Sequence, residues 1–154
     1  MGYYYSLLTG DNSIMMTDST PLLLITADPS HPLAHLALRY AEAVLSQAEI
    51  CTDTGHNTRA LNVFFYGDAA HTANRLRWQA ADQFNLTQAW QSLANRYQLP
   101  LAICVSTALS RGVSDTDNSA RHQLEGDNIA QGFHLVGLSD LAMMMQSNCR
   151  LIQF

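Results

Sequence analysis

Leu101-Ala102-Ile103-Cys104-Val105-Ser106-Thr107-Ala108-Leu109-Ser110-Arg111-Gly112-Val113 is a short apolar run that passes straight into a segment of helical character. Short continuous apolar runs suit strands buried on both faces of a parallel sheet. Pro100 stands just before the run and separates it from the helical pattern upstream. Cys104 falls at the carboxyl end of this strand, where ligands and chemistry gather in α/β folds. A helix starting at Val105 would aim free backbone N–H groups at its sulfur and lower the thiol pKa. From spacing alone the position favours an ordinary core cysteine, since free Cys is among the most buried residue types.

Four further segments share the strand character. They are Leu22-Leu23-Leu24-Ile25-Thr26 between Pro21 and Asp28-Pro29, Leu61 to Tyr66 closed by Gly67-Asp68, Phe133 to Gly137, and Arg150 to Phe154. Helical patterns separate them. Ser30 is placed to cap a helix with Pro32 in its first turn, followed by Leu33, Leu36, Ala37, Tyr40, Ala41, Val44 and Leu45 on one face. Residues 49–60 are polar and predict a loop, and Ala69 to Leu76 a short helix or ordered loop. Phe84 to Gln98 predicts a second long helix, with Leu86, Ala89, Trp90, Leu93, Ala94 and Tyr97 facing one way. Asp115 to Ala130 is polar with helical potential, and Ser139 is placed to cap a last helix through Leu141, Met144 and Met145. This alternation predicts an α/β fold: a single doubly wound domain with a mainly parallel five-stranded sheet. Residues 21–154 form that domain. Residues 1–20 are polar and turn-rich, a loosely ordered N-terminal extension in which Met16 is an alternative start.

A chain of 154 residues is long enough to bury about two-thirds of its unfolded surface. Its net charge is −5, and all eight of its cations are arginine. An acidic chain with no basic run is a poor grip for a phosphate backbone, so direct nucleic-acid binding is not expected. There is no cationic, apolar leader and no apolar stretch of membrane-spanning length, so a membrane role is not expected either. Three cysteines, unpaired by any metal-type spacing, point to free thiols in a reducing cytoplasm.

Rival chemistries lack their motifs. Neither a Walker-type phosphate loop nor a GxGxxG follows any strand, and no cofactor is expected. His31 and His35 have a zinc-type spacing but no third ligand, and no metal is expected. Trp78 and Trp90 read as packing residues, and the Met143-Met144-Met145 run as part core filler, part interface. Cys51 lies in the polar loop after the first helix and Cys149 just before the last strand. Arg111, seven residues beyond Cys104, would share a face with it if the helix continued, with Gly112 then ending that helix. No histidine adjoins Cys104, which favours chemistry needing only a thiolate.

Several segments together resemble the DsrE/TusD-type sulfur relay family. They are Val63-Phe64-Phe65-Tyr66 with Ala73-Asn74-Arg75-Leu76, Asp82 to Leu86 through Trp90 to Leu93, Ile103-Cys104-Val105 with Ala108-Leu109 and Arg111-Gly112-Val113, Gln131-Gly132-Phe133 with Gly137-Leu138, and Gln153-Phe154. The likeness spans about residues 21–154; the loop Ala27 to Pro32 departs from it, lacking the Gly and Tyr common there. The resemblance implies a cytoplasmic sulfurtransferase subunit that carries sulfur as a persulfide on an accessible Cys104. Arg111 is the second candidate, for electrostatic support, though a helix C-terminal cation or an interface pair suits it equally. The implied partners are two related small subunits (TusB-like and TusC-like) in a heterohexamer, an upstream persulfide donor and a downstream acceptor, serving tRNA wobble-uridine 2-thiolation. Two alternatives stay open: a DsrE-like subunit in dissimilatory sulfur oxidation, and a non-catalytic scaffold subunit with Cys104 buried and inert.

Overall fold

The computed structural model describes residues 19–51, 60–146 and 149–154, the side chains of residues 49–51 excepted. The elements are β1 (Thr20–Ile25), α1 (Pro32–Cys51), β2 (Asn62–Phe65), a 3-10 segment (Gly67–Ala73), α2 (Leu86–Tyr97), β3 (Leu101–Cys104), α3 (Val105–Leu109), α4 (Thr116–His122), β4 (Phe133–Val136), α5 (Leu138–Gln146) and β5 (Cys149–Gln153). All five strands are parallel, in the order β4-β3-β2-β1-β5. The fold is therefore the α/β sheet its apolar runs predict, and wholly parallel.

Strand alternation divides the sheet's side chains between two faces. Leu23, Ile25, Val63, Phe65, Leu101 and Ile103 join one core with Ala34, Ala37, Leu38, Ala41 and Leu45 of α1 and Trp90 and Leu93 of α2. Phe65 meets Trp90 edge-on at 5.3 Å between ring centroids and Phe133 at 5.4 Å. The opposite face carries a small cluster of Leu22, Phe64, Ala102 and Cys104, against which Leu24, Val136, Leu141, Met144 and Cys149 pack half-buried. Leu141 and Met144 come from α5, no residue of which is buried.

Local chemistry shifts several predicted boundaries. Thr20, placed in the N-terminal extension, opens β1 opposite Cys149, while residues 1–18 of that extension lie outside the described residues. Pro32 does begin α1, but Ser30 does not cap it: its N–H and Oγ bond the Asp28 carboxylate at 2.8 and 2.6 Å, and His31 Nδ1 accepts the Leu33 amide instead. The helix runs on to Cys51 through Gln47-Ala48-Glu49, good helix formers, so the predicted loop starts later and Cys51 ends a helix. Similarly α5 starts at Leu138, with Gly137 O accepting the Asp140 amide, which leaves Ser139 inside the helix. Cys149 is the first residue of β5 rather than its prelude. Trp90 is fully buried as expected, but Trp78 is 83% exposed. It sits in the irregular stretch between the 3-10 segment and α2, which no core helix covers.

Candidate active site

The carboxyl edge of the sheet is where β1, β2, β3 and β4 each hand over to a turn or helix. β3 reaches Cys104 and turns at once into α3, with Cys104 as the residue before the helix. Thr107 Oγ1 donates to Cys104 O at 3.2 Å and ties this first turn to the strand end. On its other side Cys104 pairs in register with Val136 of the edge strand β4. The strand-to-helix junction read from the sequence is thus present.

Its side chain does something else. Cys104 is only 1% exposed, and its sulfur accepts no helix N–H. Strand parity directs it into the apolar cluster with Leu22, Phe64 and Ala102, away from the helix start. This corrects the expectation of an accessible sulfur aimed at free amide groups. Covering side chains must move before the thiol meets another protein.

Arg111 also departs from its expected place. The helix ends at Leu109, and the chain turns through Ser110 to Gly112, whose φ of +71° fits glycine. The Arg111 guanidinium is drawn to Asp68 of the 3-10 segment, with Nε and Nη2 each 2.9 Å from Oδ1, and Nη1 donates to Thr107 O and Ser110 Oγ. None of these hydrogen bonds goes to Cys104. Arg111 ties the turn after α3 to the segment after β2.

Sequence reasoning missed Asn128. Its Oδ1 accepts the Ser114 amide at 2.9 Å, while Nδ2 donates to Gly112 O at 2.7 Å and to Asn74 Oδ1 at 3.2 Å. One side chain joins the turn beyond α3 to the loop beyond the 3-10 segment. Beside it, Thr116 Oγ1 and Arg75 Nη2, each at 2.8 Å, hold the Asp127 carboxyl below the usual carboxylate range. A lone polar residue in a polar stretch carries no periodic signal, so only the fold reveals these roles.

The other cysteines sit elsewhere. Ile103, Phe65 and Ile25 lie level across β3, β2 and β1, which puts Cys104 level with Thr26, whereas Cys149 pairs with Thr20. At about 3.3 Å per residue and 4.8 Å per strand, Cys104 and Cys149 are on the order of 25 Å apart. That is far beyond the roughly 7 Å Cα limit for a disulfide. Cys51 ends the helix that carries the chain back from the carboxyl edge, so it too lies towards the amino edge. Of the three cysteines, only Cys104 stands at the carboxyl edge. His31 and His35 do not converge on a third ligand: His31 caps α1, His35 lies against the Phe84 ring at 5.5 Å, and no potential metal group occurs among the described residues.

The fold is that of a small parallel α/β protein with one cysteine at the carboxyl end of β3. The chain belongs to the DsrE/DsrF-like family, whose model matches residues 22–154. It is 40% identical to the sulfurtransferase TusD of Pectobacterium carotovorum subsp. carotovorum (strain PC1) over 79% of this chain and 87% of that one. It is 38% identical to the sulfurtransferase TusD of Proteus mirabilis (strain HI4320), over 78% and 91%. The fold resembles the crystal structure of the YchN protein from E. coli, with a TM-score of 0.66 at 18% identity, covering 88% of this chain and 99% of that one. Its class of activity is sulfur transfer. Among the described residues no helix is long and apolar enough to cross a membrane.

Proposed function

We propose that this chain carries sulfur as a persulfide on Cys104 and passes it to a second carrier. It would act in the cytoplasm as one subunit beside two related small subunits, supplying the sulfur for 2-thiolation of the tRNA wobble uridine. The observation that carries the reading is positional: Cys104 is the one cysteine at the sheet's carboxyl edge. The chemistry is thiol exchange without net oxidation. The Cys104 thiolate attacks the outer sulfur of a donor persulfide, a new S–S bond forms on Cys104, and the donor leaves as its thiolate. The acceptor's thiolate then attacks that outer sulfur, and the Cys104 thiolate is released. Such exchange needs access more than a deep pocket, so the cover over Cys104 must open for the thiol to react.

Burial of Cys104 favours one rival, a scaffold subunit with an inert thiol. Mass spectrometry of the intact protein after incubation with inorganic polysulfide decides between them. A gain of one sulfur atom on the wild type that is lost in Cys104→Ser is the expected result. An adduct that persists in Cys104→Ser removes the site assignment. No adduct on the wild type, with iodoacetamide also failing to label Cys104 in the folded protein, establishes the scaffold. Loss of 2-thiouridine from cellular tRNA on replacing the gene with the Cys104→Ser form tests the pathway.

A further inference from the structure

A cleft of about 310 Å³ opens between the loop after the 3-10 segment and the first turns of α2. Asn74, Arg75, Arg77, Asn85, Gln88 and Gln131 contribute to its wall, and no carboxylate does. Bonds among its lining residues hold its walls: Gln91 Nε2 donates to Gln131 O at 2.8 Å, and Asn85 Oδ1 caps α2 by accepting the Gln88 amide at 3.1 Å. Thr87 Oγ1 donates to Thr72 O at 2.7 Å and anchors α2 to the 3-10 segment. The volume suits a small ligand rather than a single water.

The two arginines differ. Arg75 is committed, its Nη2 paired with Asp127 at 2.8 Å. Arg77 is not: its side chain makes no hydrogen bond or ion pair among the described residues, and its Nη1 is a buried donor without an acceptor. Asp28, a carboxylate in electrostatic range of it, already accepts the N–H and Oγ of Ser30. It feels Arg77 only through space. A guanidinium partly withdrawn from water with no carboxylate bonded to it is costly, and the fold keeps one at the wall of a cleft free of carboxylates. The amide groups of the first turn of α2, a helix of 12 residues, add positive potential on the same side.

We propose that this cleft binds a tetrahedral oxyanion of the phosphate class. Arg77 supplies the cation, and the side-chain amides of Asn85, Gln88 and Gln131 supply neutral polar contacts. A planar, always-charged fork suits such an anion better than any amide alone. The site does not include Cys104 and stands independently of persulfide transfer.

Calorimetric titration of the full chain with inorganic phosphate and with AMP tests it. Saturable binding of at least one of them at millimolar concentration or below is expected, weakened by about tenfold or more in Arg77→Gln. AMP binding tighter than phosphate assigns a phosphate ester as the ligand; equal binding assigns the free anion. Arg77→Gln should unfold at the same or a higher urea concentration than wild type without ligand, because it removes an unpaired donor. Cys104→Ser should bind as wild type does. No saturable binding of either probe, or binding unchanged in a folded Arg77→Gln protein, overturns the proposal.

Discussion

The two faces of the sheet are built to different standards. One is sealed by α1 and α2, with Trp90, Phe65 and Phe133 interlocked beneath them. The other has only a small cluster under α5, a helix without a buried residue whose Leu138, Met143 and Met145 are 52%, 61% and 49% exposed. The thick face holds the fold together. The thin face holds the thiol. A protein that must uncover a buried sulfur gains from placing it where the least packing has to be undone.

Truncation should read this contrast directly. Trp90→Ala empties the centre of the thick face and should cost about 3–5 kcal/mol in urea unfolding. A loss below that of a thin-face truncation would break the comparison. Met144→Ala, on the half-buried cover, should cost less than about 2 kcal/mol. It should also speed iodoacetamide labelling of Cys104 in the folded protein, whereas Trp90→Ala should not unless it unfolds the chain. Equal labelling rates for Met144→Ala and wild type would mean that α5 is not the cover.

The smallest effect expected lies in the loop between α4 and β4. Asp127 titrates below the ordinary carboxylate range because Thr116 and Arg75 bond its charged form. The stability it adds is present above the ordinary carboxylate pKa and is lost as pH falls through the lowered value. Thr116→Val should move its NMR titration midpoint back upward while leaving Cys104 labelling unchanged. A midpoint that does not move would assign the shift to Arg75 alone.

Much of the fold was legible because apolar runs and helical faces are local patterns. Leu22 to Ile25, Val63 to Phe65 and Leu101 to Ile103 announce buried parallel strands with no help from the rest of the chain. Cys104 was legible as a position, at the end of such a run, but its solvation was not. Exposure depends on what packs over that face, and Leu141 and Met144 of α5, which join its cluster, arrive more than thirty residues later. Trp78 misled for the same reason: its chemistry suggests a core, and only the path of residues 75–85 leaves it in water. Arg111 would share a face with Cys104 only on a longer helix, and the turn after Leu109 directs it to Asp68 instead.

The register that separates Cys104 from Cys149 bears on how securely a sulfur atom is kept. A persulfide with a second thiol within reach decays as that thiol attacks the inner sulfur, closes a disulfide and expels hydrosulfide. Across about 25 Å of parallel sheet Cys149 cannot make such an attack within one chain. A persulfide on Cys104, as proposed, would be protected from attack by Cys149 of the same chain by geometry alone, and its lifetime would be set by whichever molecule arrives from outside.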